Sequence, residues 1–253
     1  MPTVPINGFE LYYEVHGKGP SVVFAHGVGG NHAIWFNQIP VFAQSYQVVV
    51  FDHRGFGNSR DNANGPGRSR FVEDLKALLD HLGIERTALV AQSMGGGTCT
   101  GFTVRYPERV SALVLADTII GMKLPDQLAS RMANVRKRTE ELLQLDRVLG
   151  PTFHKKEPVQ SQLYSQINSF NMVNRSSLGG SFGSGYTPQE LADTKVPIMF
   201  VVGRDDILIP PDVVAAMHQL IPGSQFLEVP DCGHSVYFED PKTFNEAIIG
   251  FLK

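Results

Sequence analysis

The chain has little of what would tie it to a membrane, a nucleic acid or an oxidising compartment. Two cysteines in 253 residues, Cys99 and Cys232, make no disulfide framework. Both sit among small or apolar neighbours and are expected to be reduced and partly buried. No apolar run approaches the roughly 20 residues that a bilayer-spanning helix needs. The N-terminal stretch MPTVPINGFELYYEVHG alternates polar with apolar residues and has no hydrophobic signal region, so a cytoplasmic address is expected. A net charge of −3, with no long block of one sign, argues against nucleic acid as a partner. The eight histidines are scattered without ligand spacing, so neither a metal nor another cofactor is expected. There is no internal repeat.

What is present is an ordinary globular composition, 42% hydrophobic and 19% charged, at a length that suits one large domain. Such a chain buries roughly 70–75% of its unfolded surface without staples. An alternating stretch at 9–15 (FELYYEV) precedes a short, continuous apolar run at 21–25 and further short strands at 47–51, 87–91, 110–116, 196–202 and 225–229. Helical patterns at 71–82, 94–106, 211–220 and 241–252 separate them, the first with Gly83 as a plausible stop. Buried strands alternating with helices predict an α/β fold: a mostly parallel twisted sheet flanked by helices. The alternation breaks between 118 and 194. That stretch holds a helical pattern (Leu128, Met132, Val135, Leu142, Leu143) and then the soft segment SSLGGSFGSG at 176–185. The reading is a core of residues 1–117 and 195–253, with 118–194 inserted after the sixth strand as a helical lid.

Function in such a sheet collects in the loops after the strands. In LVAQSMGGG, residues 89–97, Ser93 stands where a strand runs into glycine. A nucleophile elbow, Gly-x-Ser-x-Gly, needs small residues two before and two after the serine, because the sharp turn brings neighbouring backbones together. Gly95 meets the second requirement and Ala91 replaces the first glycine. The plain alternative is a serine that caps the following helix. A serine nucleophile needs a base, and the base an orienting carboxylate, in the chain order Ser, acid, His. His234, in PDCGHS after the last strand, fits that order. His218 falls mid-helix, and His16, His32, His53, His81 and His154 precede the acid. In GRDDILIP, 203–210, the Gly-x-x-Asp-x-x-x-Pro spacing selects Asp206, leaving Asp205 to the loop backbone. HGVGG, 26–30, can bring a backbone N–H, that of Val28, beside the N–H of Met94 to form an oxyanion hole. It has neither Gly-x-Gly-x-x-Gly spacing nor a P-loop lysine, which argues against nucleotide binding.

With HGVGG, FDHRGFGNS (51–59), AQSMGG, GRDDILIP and GHSVYFEDP (233–241) in this order, the chain resembles an α/β-hydrolase over nearly its whole length. The resemblance implies Ser93 as nucleophile, Asp206 as acid, His234 as base, a structural loop at 51–59 and a variable lid across the insertion. It also matches Trp35 to an aromatic that packs the first helix or lines the substrate pocket. Serine at the elbow sets the chain apart from the dehalogenases and epoxide hydrolases of this fold, which use aspartate. Ala-Gln-Ser departs from the Gly-Asn-Ser-x-Gly of carbon–carbon bond hydrolases, while Ser-Met-Gly-Gly is similar to enol-lactonases, small esterases and cofactor-free haloperoxidases. The implied activity is hydrolysis of a small ester or lactone through an acyl-enzyme. Hydrolysis of a diketone-type carbon–carbon bond, acyl transfer and small-molecule reception on the same scaffold are the alternatives. Ile119, Ile120, Met122, Phe170, Met172 and Phe182 are candidates for the pocket ceiling. Residues 118–190 carry nine Lys or Arg against six Asp or Glu, a surplus that would steer anionic substrates. The plainer reading is a solvated helix face on which Glu140 and Glu141 offset Arg136, Lys137 and Arg138.

Overall fold

Runs such as SVVFA and QVVVF are apolar at every position after the first, so only a sheet covered on both faces can bury them. The structure, a computed structural model, describes residues 2–61 and 65–253. Its eight strands are β1 (Thr3–Ile6), β2 (Phe9–His16), β3 (Ser21–Ala25), β4 (Gln47–Phe51), β5 (Thr87–Gln92), β6 (Val110–Ala116), β7 (Ile198–Gly203) and β8 (Gln225–Val229). They form one sheet in the order β1-β2-β4-β3-β5-β6-β7-β8. Of its pairings, only β1–β2 and β2–β4 are antiparallel.

The helices of the frame are α1 (Ile39–Phe42), α2 (Phe71–His81) and α3 (Gly95–Arg105). Between β6 and β7 come α4 (Asp126–Thr139), α5 (Gln144–Val148), α6 (Pro151–Lys156), α7 (Pro158–Ser169) and α8 (Pro188–Asp193); α9 (Pro211–Gln219), α10 (Val236–Glu239) and α11 (Pro241–Leu252) close the chain. The pleat sends alternate residues to opposite layers. Val23 and Ala25 pack with Leu75, Leu78, Phe102, Val213 and Met217 on one face. Val22 and Phe24 pack with Phe42, Phe244 and Ile248 on the other. The α/β expectation therefore holds. Among the described residues no helix is long and apolar enough to cross a membrane.

Two local expectations are corrected. The helical stripe of Met132 and Val135 does not extend to Leu142 and Leu143: α4 ends at Thr139, and Leu143 is 75% exposed in the turn beyond it. Residues 196 and 197 lie outside β7, because Pro197 has no N–H to give a ladder. The short strand β1 adds to the strands expected from the sequence. Gly83 follows α2 in the left-handed region (φ +65°), where Ile84 N–H reaches back to the Leu79 carbonyl at 2.9 Å.

Strand register positions the site. Ala25 pairs with Ala91, which sets the loop beginning at His26 beside Gln92 and Ser93. Gln92 pairs with Ala116, and Gly203 with Val229, so the turns after β5, β6, β7 and β8 open along one edge.

Candidate active site

Ser93 follows β5 with a φ of +47°, a conformation a non-glycine residue adopts only when its surroundings impose it. They do so here. Ser93 N–H donates to the Ala116 carbonyl (3.1 Å), and the Ser93 carbonyl accepts from Thr118 Oγ1 (2.7 Å) and Gly96 N–H (2.9 Å). A Cβ on Gly95 would lie 2.2 Å from the Ala25 carbonyl oxygen, so the turn requires glycine there. Ala91 stays within the strand, fully buried.

His234 Nε2 lies 2.8 Å from Ser93 Oγ, and its Nδ1 lies 2.8 Å from Asp206 Oδ2. An ionised carboxylate only accepts, which puts the imidazole proton on Nδ1 and leaves Nε2 to accept from the serine hydroxyl. Asp206 Oδ1 accepts from the N–H groups of Leu208 (2.8 Å) and Ile209 (2.9 Å), the purpose of the residues between Asp206 and Pro210. Among the described residues Asp205 makes no hydrogen bond to His234, and its own N–H donates to the Cys232 carbonyl at 2.8 Å.

Burial works against the charged form of His234. The charge and hydrogen bond of Asp206 outweigh it, with help from Asp117 and Glu239, and the net shift is upward from 6.5. Three polar residues outside the sequence motifs' assigned roles hold this assembly. Gln92 Nε2 donates to the His234 carbonyl at 2.8 Å. Asp117, buried at the end of β6, accepts from Gly203 N–H (3.0 Å) and Val236 N–H (3.1 Å); burial and then the charge of Asp206 push its carboxyl well above the usual range. Glu239 accepts from the N–H groups of Gly150, Gly233 and Ser235, and burial raises its carboxyl to about 7. Each sits next to a motif residue or strand end, but nothing in the chain marks its partner.

The loop after β3 turns at Gly27, whose carbonyl accepts from Gly30 N–H at 3.1 Å. His26 fixes it: Nδ1 bonds the Gly27 carbonyl (2.8 Å) and Nε2 accepts from His53 N–H (2.9 Å). Burial lowers the His26 imidazole to about 4 and keeps it neutral for both bonds. Val28 packs against a small cluster that includes Met94, Phe56 and Phe71. In the 51–59 loop, Arg54 is buried against Asp74 at 2.8 and 2.9 Å and stacks on Phe9.

Ser93 and His234 open on a cavity of about 560 Å³, within the range of small-molecule pockets. Ile119, Ile120, Met122 and Phe182 line it, together with Arg147 from α5. Three expected pocket residues, Trp35, Phe170 and Met172, do not. Trp35 is fully buried between Phe24 and Tyr237, with ring centroids at 5.0 and 4.7 Å, and is a packing residue. Phe170 comes after the last turn of α7, beyond the buried stripe of Tyr164 and Ile167, and is 71% exposed. Met172 is exposed too. Among the described residues no cluster of three or more His, Cys, Asp or Glu could hold a metal ion. Both thiols are free and buried, and burial pushes them up.

These features define a class. A family model of the alpha/beta hydrolase fold matches residues 20–241, and the chain belongs to that family. It is 29% identical to the 2-hydroxy-6-oxononadienedioate/2-hydroxy-6-oxononatrienedioate hydrolase of Paraburkholderia phymatum, over 96% of this chain and 90% of that protein. Among solved structures, a thermophilic esterase from Thermogutta terrifontis with malate bound matches at a TM-score of 0.82 and 26% identity, covering 99% of this chain and 96% of that one. The enol-lactonase from Burkholderia xenovorans matches at 0.77 and 23% over 99% of both chains, a likeness of fold.

Proposed function

We propose that this chain is a cofactor-independent serine hydrolase of small carboxylic esters or lactones. The observation that carries the reading is the unbroken chain Asp206–His234–Ser93, with both links at 2.8 Å, at the mouth of a cavity sized for a small molecule. Ser93 Oγ attacks the acyl carbon while its proton passes to His234 Nε2. The carbonyl oxygen becomes an oxyanion between the backbone N–H groups of Val28 and Met94. Asp206 stabilises the imidazolium and holds its orientation. The bond to the leaving oxygen then breaks, and the proton moves from Nε2 to that oxygen, leaving an acyl-enzyme. Water attacks next, gives its proton to His234, and the carboxylic acid departs as Ser93 recovers its hydrogen. The helices between β6 and β7 serve as the lid, with Ile119 and Phe182 in the pocket wall, and the protein works in the cytoplasm.

The compound named for the P. phymatum relative is a dioate and the T. terrifontis esterase binds malate, which supports an anionic substrate. That relative also favours a second reading, hydrolysis of a carbon–carbon bond in a vinylogous diketone by the same residues. Turnover of such a compound where simple esters fail would select it.

A fluorophosphonate tests the main reading. Rapid labelling, mapped to Ser93 and absent from Ser93→Ala, is the expected result. A folded wild-type protein that stays unlabelled overturns it and brings small-molecule reception forward.

A further inference from the structure

Acyl transfer at Ser93 does not account for the positive charge that lines the cavity. Besides His234, the ionisable groups among the described lining residues are Arg68, Arg136 and Arg147, with no carboxylate. Two of the three are accounted for. Arg68 donates to the carbonyls of Leu178 (3.2 Å) and Gly179 (3.3 Å). Arg136 lies in the exposed last turn of α4. Arg147 is different. Its Nε and Nη1 are buried and take no hydrogen-bond partner among the described residues. A guanidinium stays charged at any physiological pH, and its desolvated N–H groups are costly when unmet. Such a group is accounted for when a ligand supplies the acceptor.

α5 lies beside the loop that follows β3. A Cβ built on Gly29 would lie 2.9 Å from Gln144 Nε2, so the first residue of α5 reaches the loop at 26–30. Gln144 and Arg147 are three apart and share one face of the helix. The guanidinium and the reacting serine line one cavity.

We propose that Arg147 binds a carboxylate on the acyl substrate, so that the compounds taken are half-esters of dicarboxylic acids or lactones bearing a carboxylate arm. This rests on the reading of Ser93 as the nucleophile. The charge surplus of residues 118–190 then matters at one residue and not as a diffuse field.

The test compares 4-nitrophenyl butyrate with mono-4-nitrophenyl glutarate, which share a leaving group and differ by a terminal carboxylate. The variants are Arg147→Met and, as a control for net charge, Lys137→Met, which is exposed on α4 and outside the cavity lining. The glutarate-to-butyrate ratio of kcat/KM is expected to fall at least about tenfold in Arg147→Met, through KM for the anionic ester, and by less than about twofold in Lys137→Met. An unchanged ratio in Arg147→Met, or an equal fall in Lys137→Met, overturns the proposal.

A second arm does not depend on turnover. Glutarate is titrated by calorimetry into Ser93→Ala and into Ser93→Ala/Arg147→Met. Binding weakened at least about tenfold by the second substitution supports the arginine site even if neither ester is hydrolysed, in which case only the hydrolase reading fails. Ester turnover with no glutarate binding to Ser93→Ala overturns the arginine site and leaves the hydrolase reading standing.

Discussion

The two walls of the cavity are built on opposite terms. On the sheet side, Ser93, His234 and Asp206 are each held by protein partners, and the loops carrying them are fastened by Gln92, Asp117 and Glu239. On the insert side, α5 presents the half-buried Arg147, whose Nε and Nη1 are buried with no partner among the described residues, and nearby glycines at 180, 183 and 185 take positive φ. The difference teaches where the molecule has settled its geometry in advance. On the proposed reading, groups that act on an acyl carbonyl are preorganised by the frame, which removes reorganisation from the barrier. On the same reading, the group that chooses among substrates, Arg147, takes its partner from the substrate.

The largest way to break this contrast is at the link the frame holds most tightly. Asp206→Asn keeps the shape but removes the charge that orients and stabilises the imidazolium, and kcat/KM should fall on the order of 10³–10⁴-fold. The pH profile carries the sign. The base acts when neutral, and its proton affinity is lifted above 6.5 in spite of burial, so activity should rise with pH through a limb above 6.5. Without the Asp206 charge, burial prevails and the residual limb should move to lower pH. A limb that stays in place would mean that Asp117, also buried beside this pair, holds His234, and the division of labour between the two carboxylates would have to be reversed.

How much of this is legible in the chain follows the same division. The elbow can be read because its demand is local: a serine forced to positive φ needs a small residue two positions on, and Gly95 stands there. Asp206 can be separated from Asp205 because its carboxylate caps the N–H groups of Leu208 and Ile209, which fixes a spacing within one loop. The parallel sheet is legible in its continuous apolar strands. β1, at four residues, is too short to show a pattern. The insert is opaque for a physical reason. Apolar side chains there serve the cavity, the helix contacts or neither, and composition does not distinguish them. Phe182 and Phe170 look alike in sequence, yet one lines the cavity and the other stands in solvent. Arg147 is one of nine basic residues, and its orientation depends on a turn between α4 and α5 that no motif announces. Asp117 follows an ordinary strand, and its importance arises only when β7 and the His234 loop close over it.

A smaller test compares two glycines. In the frame, an alanine at Gly95 would push its Cβ to 2.2 Å from the Ala25 carbonyl, backbone against backbone within a parallel sheet. Neither side can yield without moving β3 or the elbow. Gly95→Ala should lose about 2–3 kcal/mol of stability in a urea melt and slow fluorophosphonate labelling as Ser93 shifts. A stable variant that labels at the wild-type rate would show that the elbow has slack.

In the insert, Gly183 has a φ of +77°, and a methyl group added there would meet nothing within 4 Å, so crowding plays no part. The cost of Gly183→Ala is the left-handed backbone alone, about 1 kcal/mol, and the chain around it can relax toward negative φ. Labelling of Ser93 should be unchanged, while KM for small esters shifts by less than about threefold if Phe182, one residue away, moves with the relaxing backbone. Equal losses of stability at Gly95 and Gly183 would erase the distinction between a fixed frame and an adaptable wall. A loss confined to Gly95 would locate the rigidity of the site in the turn after β5, where close contact with β3, and not φ, excludes a side chain.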